Sequence, residues 1–303
     1  MGAFDPGPFP GPSPSIARVE VPVDTRAPGG TTNAHAAGGL LVDPAARTDA
    51  LDAAVGVADA DSDRDGGTPE IDAIAVTHAH PDHVGAVAEY ADLTGAPVFA
   101  HADHVDRFAA ATGVEPDGTF RGGDRVGDTG VRAVETPGHA PDHVAFAVES
   151  AGGSDEGDRG VAADAARELL CGDLAVAEGS VVVGAPEGDL REYLDSLDRV
   201  RAAGYDRLYP GHGPVIDDPE GVCDRLIDHR LERERTVLAA VEDGASDVES
   251  VVDAAYERDL TGVADLARAT VVAHLEALLA EGRIGREWGD RIGGERADGT
   301  PKE

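Results

Sequence analysis

Between Thr77 and His83 the chain reads Thr-His-Ala-His-Pro-Asp-His, so His78, His80, Asp82 and His83 fall within six positions of a 303-residue chain that contains 11 histidines. Imidazole nitrogens and carboxylate oxygens bind divalent first-row metals, and zinc takes them at about 2.0–2.2 Å while a catalytic site keeps one position open for water. The spacing has a mechanical reading. In an extended stretch His78 and His80 point to one side, because side chains alternate with period two, and a turn forced near Pro81 aims Asp82 and His83 at a neighbouring point. One loop can thereby serve two adjacent ions. Further ligands must come from elsewhere, and His139 and His212, each preceded by Pro-Gly, and Asp173, preceded by Gly172, are placed to supply them. Glycine lets the backbone approach closely at such points. The chemistry such a cluster suits is hydrolysis, since coordination lowers the pKa of water from roughly 15.7 to about 7. Isolated histidines are more often packing or surface residues, so His35, His101, His104 and His229 are read that way. His143, four residues after His139, is intermediate and is not read as a ligand.

These residues need a scaffold that brings separate turns together. Short apolar runs at 16–23, 39–43, 71–76, 97–100, 131–135, 144–148, 168–171 and 207–209 read as strands, and helical spacing marks 84–93 and 190–203. Residues 59–70 and 150–166 are polar and glycine-bearing loops. Every candidate ligand then lies just past the end of a strand. Strands alternating with helices favour a layered α/β domain over a bundle or an all-strand sandwich. From residue 224 the pattern changes to three helical segments, 230–241, 248–258 and 263–280, followed by Gly282 and a stretch at 283–292 expected to form a two-stranded wing. The expected organisation is a hydrolase domain over 1–223, a winged-helix-like domain over 224–292 and a flexible tail over 293–303.

The formal net charge is −34, and Lys302 is the one lysine. A surface this acidic repels itself at low ionic strength, whereas molar salt shortens the Debye length to about 3 Å. A salt-rich cytoplasm is the expected setting. Cys171 and Cys223 offer neither a disulfide framework nor a cysteine-type zinc spacing. Residues 1–14 lack the basic and apolar regions of a signal peptide, and no stretch approaches the roughly 20 apolar residues of a membrane span. Scarce basic residues and the lack of an aromatic-plus-basic stripe disfavour a nucleic-acid track.

The His-x-His-x-Asp-His run, with the later Gly-His139, Gly-Asp173 and Gly-His212 elements, resembles the metallo-β-lactamase-fold superfamily. The stretches Thr136-Pro-Gly-His-Ala-Pro-Asp-His143, Tyr209-Pro-Gly-His-Gly-Pro-Val-Ile216, Asp228-His-Arg230 and Ala273-His-Leu-Glu-Ala-Leu-Leu-Ala-Glu-Gly282 are most similar to the branch called β-lactamase-like protein 2. The core motifs are equally similar to the glyoxalase II group. The resemblance implies a four-layer αββα sandwich with a C-terminal winged-helix-like domain. It implies one metal on His78, His80 and His139 and a second on Asp82, His83 and His212, with Asp173 bridging them and Asp43 behind the ligands. Asp82 and Asp173 would be the catalytic carboxylates, and a hydroxide between two zinc ions, or manganese or iron, would be the nucleophile. A small ester or thioester is the expected substrate, with single-stranded RNA as the alternative and a possible homodimer as the assembly. A rival of another class is a winged-helix nucleic-acid-binding regulator with a structural metal site. Where the branch usually has an aromatic residue, this chain carries His35, which bears on the pocket wall and not on the ligands.

Overall fold

The computed structural model describes residues 16–57, 71–148, 167–256 and 260–294. The described parts of Met1–Glu135, Val144–Gly172 and Tyr205–Asp217 form one compact unit, and those of Thr136–His143, Asp173–Gly204 and Asp218–Glu303 form another.

The first unit holds two four-stranded sheets. One runs in the order β1 (Ala17–Pro22), β2 (Thr31–Ala37), β3 (Leu40–Val42), β4 (Ala73–Ala75). The other runs β10 (Arg207–Pro210), β9 (Glu168–Gly172), β8 (Val144–Val148), β7 (Val131–Glu135). Each sheet has two antiparallel pairs and one parallel pair, β3 with β4 and β9 with β10. Strand alternation builds two cores from one sheet. Leu40, Val42, Ala73 and Ala75 face the second sheet, where Phe146, Val131, Leu170 and Tyr209 meet them. Leu41 and Ile74, one residue out of phase, turn the other way. There they join Leu51 of α1 (Asp49–Ala54), Val87 and Tyr90 of α3 (Val87–Thr94) and Phe108 of α4 (Val105–Thr112). Strands buried on both faces read as continuous apolar runs, as expected of parallel neighbours. Between these helices lies the one-turn α2 (Pro81–Val84), and a small parallel pair joins β5 (Phe99–His101) to β6 (Gly118–Phe120).

The second unit holds no strand among its described residues. It comprises α5 (Leu190–Ala203), α6 (Pro219–Glu242), α7 (Val248–Ala255), α8 (Ala264–Ala280) and α9 (Glu287–Gly294). Helix starts follow local chemistry. Asp189 accepts the amides of Arg191 and Glu192 at the head of α5, and Asp247 accepts that of Ser250 at the head of α7, satisfying donors that a helix leaves open. Val237, Val251, Val271, Leu275, Leu278 and Trp288 form the core.

Several expectations shift. The wing over 283–292 is not formed: the chain turns and enters α9. Ile284, Trp288 and Ile292 are buried while Arg286 and Asp290 are exposed; a strand would turn all five to one face, whereas a helical turn separates them. Helix α6 starts at Pro219, not near 230, and runs unbroken through positions 223 and 224. Strand β2 and helix α4 have no counterpart in the sequence reading. The loops expected over 59–70 and 150–166 and most of the tail lie outside the described residues. Among the described residues no helix is long and apolar enough to cross a membrane.

Candidate metal centre

The expected ligands follow strand ends. The run from His78 to His83 comes after β4, His139 after β7, Asp173 after β9 and His212 after β10. Carboxyl ends of strands are where open α/β sheets place their ligand sites.

Pro81 at the first position of α2, with His80 as an extended cap at φ −72° and ψ 146°, turns the chain so that Asp82 and His83 occupy the first helical turn. Behind them sits Asp43, 1% exposed and held in the left-handed region at φ 52°. A non-glycine residue there is strained unless its surroundings fix it. Three donors do so: the Thr77 amide at 2.7 Å, the Thr77 hydroxyl at 2.8 Å and His83 Nδ1 at 3.0 Å. Thr77 also lies 3.1 Å from His78 Nδ1 through its hydroxyl, and His78 Nε2 lies 2.8 Å from His80 Nδ1. Asp82 accepts from the Thr25 hydroxyl, and its Oδ2 is 3.6 Å from His212 Nε2. His212 Nδ1 donates to the Thr31 carbonyl at 2.8 Å. The loop around it is held by Asn33, whose amide nitrogen donates to Pro210 O at 2.9 Å and Gly213 O at 2.8 Å.

In the helical unit, His139 follows Gly138, whose φ is 125° and where a Cβ would overlap the backbone of Tyr193. Only glycine fits such a point. His139 Nδ1 donates to the Val182 carbonyl at 2.7 Å, and its Nε2 is 3.6 Å from Asp173 Oδ2. His143 is buried and bonds at both nitrogens, Nδ1 to the Thr136 carbonyl at 2.9 Å and Nε2 to the Asp173 amide at 3.0 Å. It therefore ties the Thr136–His143 turn to the backbone of Asp173.

The donor set suits divalent ions. A carbonyl oxygen can only accept, so His139 and His212 carry their proton on Nδ1, and His83 Nδ1 faces a carboxylate; all three present Nε2 with its lone pair. Metal-ligating histidines are oriented in this way by an acceptor on the far nitrogen. Within the strand-bearing unit, Asp82, His83 and His212 bring ligand atoms within 4.8 Å of one another. His35, His101, His104, His143 and His229 belong to no such group among the described residues. Neither cysteine is included; burial pushes the Cys223 thiol up to about 11.

The remaining histidines have other settings. His35 is 2% exposed, lies edge-on to Tyr209 at 6.1 Å, and burial pulls its pKa down to about 3. His101 pairs with Glu135 at 3.0 Å. His229 is half-buried in α6, where burial lowers its pKa. Sequence reasoning missed Asn33, Thr25, Thr77 and the Val182 carbonyl. Thr77 adjoins the ligand run, which is a usable signal; a backbone carbonyl has none.

Comparison with known proteins agrees with this geometry. The family described as the Metallo-beta-lactamase superfamily matches residues 34–212. A Beta-lactamase-like protein 2 homolog of Caenorhabditis elegans is 30% identical over 179 residues, 57% of this chain and 52% of that protein. The Drosophila melanogaster homolog is 29% identical over 231 residues, 71% of this chain and 70% of that one. The Atrochrysone carboxyl ACP thioesterase of Aspergillus fumigatus is 30% identical over 188 residues, 61% of this chain and 51% of its own length. The chain thus spans about half the length of the worm and Aspergillus relatives. A crystal structure of a metallo-beta-lactamase family protein from Thermus thermophilus superposes with a TM-score of 0.65 at 26% identity, covering 89% of this chain and 95% of that one. A Beta-lactamase domain protein from Burkholderia ambifaria gives 0.66 at 22% identity, covering 91% and 90%, a likeness of fold alone.

Proposed function

The chain belongs to the metallo-beta-lactamase superfamily, and from that premise we propose that it is a metal-dependent hydrolase that cleaves a small ester or thioester at a two-ion site. In this reading His78, His80 and His139 would hold one ion and Asp82, His83 and His212 the other, with Asp173 as a ligand that would serve both. The observation that carries it is the set of three imidazoles whose Nδ1 atoms are engaged by oxygen acceptors, the orientation that metal-ligating histidines take when Nε2 is the ligand atom. When bound, two divalent ions would bring water close to neutral ionisation and polarise a carbonyl.

The chain's own groups supply the rest. One of the two carboxylates, Asp82 or Asp173, would take up the one proton that water gives as its oxygen adds to the carbonyl carbon; the carbon–sulfur or carbon–oxygen bond then breaks and that proton passes to the leaving thiolate or alkoxide. Asp43 and the carbonyls of Thr31 and Val182 hold the imidazoles in one tautomer throughout, so that no reorganisation is needed during reaction. A thioester is favoured over RNA because the Aspergillus relative is named a thioesterase and because a net charge of −34 opposes phosphate contacts. Zinc is the proposed metal, and a salt-rich cytoplasm the proposed setting.

The test is a parallel assay in molar KCl of a simple thioester, a simple ester and single-stranded RNA, each with zinc or manganese and each after chelation. Thioester or ester turnover that disappears on chelation and returns with metal is the expected result. Turnover indifferent to chelation would sink the metal reading, and cleavage confined to RNA would sink the substrate class.

A further inference from the structure

Between Asp173 and α5 the chain runs through residues 174–189 without regular structure, yet helices fasten it repeatedly. Arg225, on the exposed side of α6, donates through Nη2 to Val176 O at 2.8 Å and Ala177 O at 3.1 Å, and through Nη1 to Gly179 O. Arg230, one turn further along, donates to Val181 O. Tyr193 of α5 donates to Leu174 O at 2.8 Å. The next carbonyl along, that of Val182, accepts His139 Nδ1 at 2.7 Å.

Arg230 is the unusual member. It is 3% exposed, and its guanidinium lies over the Tyr193 ring at 5.6 Å. Burying a guanidinium is costly unless its donors are engaged; here Nη2 has a carbonyl of the segment and the plane faces the ring of the tyrosine that pins Leu174, the residue after Asp173, while Nε has no hydrogen-bond partner among the described residues. Arg230 thus holds the residue before Val182, whose carbonyl accepts from His139, and lies over the ring that bonds the residue after Asp173. We propose that Arg230, assisted by Arg225, is a positioning residue: it fixes the carbonyls of residues 176–182 so that the Val182 oxygen holds the His139 imidazole with Nε2 toward the ion. The inference rests on the reading of His139 as a ligand. It gives α6 a task in the hydrolase itself, apart from any nucleic-acid binding.

The experiment compares full-length wild type with Arg230→Met, Arg230→Lys, Arg225→Met and His139→Ala in molar KCl. It measures ions retained per chain against a competing chelator, the visible spectrum of the cobalt-loaded protein, and the melting curve. His139→Ala and Arg230→Met should each lose one ion of two, its affinity falling about 10–100-fold as for other groups that orient a ligand, with a changed cobalt spectrum and the second ion kept. Arg230→Lys should recover part of that loss, since an ammonium can reach one carbonyl but cannot fork. Arg225→Met should lower the same affinity by a few-fold. Wild-type affinity and spectrum in both Arg230→Met and Arg225→Met, beside a defective His139→Ala, would overturn the inference and leave the ligand reading standing. If Arg230→Met fails to give a cooperative melt, Arg225→Met decides alone, and wild-type affinity there overturns the proposal. A His139→Ala protein that keeps both ions would instead remove the ligand reading.

Discussion

The strand-bearing unit and the helical unit hold their candidate ligands by different means. In the first, His83 and His212 are anchored at strand ends: Asp43 follows β3, Thr31 opens β2, and Asn33, two residues on, holds the turn after β10. Sheet register fixes these atoms together with the core. In the second, His139 and Asp173 sit on irregular segments, held by single long side chains from α5 and α6 and by His143. Such side chains must surrender rotamer freedom to do this. Ligand geometry in the first unit is inseparable from folding, whereas in the second it is an additional layer that can be loosened while the helices stay packed.

The sharpest way to break that contrast is to remove one imidazole from each unit. We expect His83→Ala and His139→Ala each to lower hydrolysis by at least about 10²–10³-fold, the scale for losing a fixed electrostatic group at a reacting centre. They should differ in stability. His83 is fully buried against Asp43, so its loss leaves a charged acceptor short of a partner and should cost about 2–3 kcal/mol. His139 has a 9% exposed side chain that bonds a surface carbonyl, so its alanine variant should melt close to wild type. Urea unfolding of both variants without metal reads the difference; equal losses would erase the distinction between the units.

The same contrast decides what could be read from sequence. The ligand run at 78–83 and the Pro-Gly-His turns are short, local and chemically distinctive, and the strands before them are apolar, so both their types and their placement were legible. Helix α5 and strands β7 and β8 fall where the spacing put them: α5 buries one stripe, β7 opens on a buried–exposed–buried alternation, and β8 is a short continuous apolar run. Strand β2 escapes the sequence reading because it buries Thr32, Asn33 and His35 and its apolar residues are alanines alone, so no apolar run marks it and its Thr-Thr-Asn start reads as loop. Helix α6 was started late because Pro219 and Gly221 look like breakers, although Pro at a first turn after the Asp218 cap is favourable. The wing was misread because Arg283 to Ile292 is short and glycine-bearing, and only packing with Trp288 selects the helix. Arg225 and Arg230 were invisible as loop clamps, since a guanidinium that binds carbonyls leaves no spacing signature.

A smaller effect should come from one histidine in each unit whose pKa burial lowers, His35 and His274. Burial lowers His35 in the sheets and His274 in α8 to about 3. For each, the folded pKa lies below the unfolded value near 6.5. The unfolded chain therefore takes up a proton as pH falls below 6.5 and the folded one does not until about pH 3. Stability is undiminished above pH 6.5 and falls across that window, by a few kcal/mol for a shift of this size. Neither ring nitrogen of His274 has a hydrogen-bond partner among the described residues, and Arg230, Arg233 and Arg191 add repulsion. His274→Leu should then raise stability at pH 5 more than at pH 8. Equal gains at both values would mean that His274 is already charged in the fold.

The smallest effects are expected where the units resemble each other, on their surfaces. Arg207–Asp217 in the first unit and Arg268–Glu249 in the second are both 2.9 Å ion pairs with exposed partners. Exposed pairs gain little because water screens them and ordering two side chains costs entropy. In molar KCl the screening length falls to about 3 Å, comparable with the pair distance itself. Replacing Arg207 or Arg268 by Gln should therefore leave the melting temperature unchanged in molar KCl and lower it only slightly in dilute buffer, to the same degree in both units. A clear loss at Arg268 alone that persists in salt would mean that the helical unit depends on its surface charges as well as on its buried arginine, and would place the difference between the units outside the ligand loops.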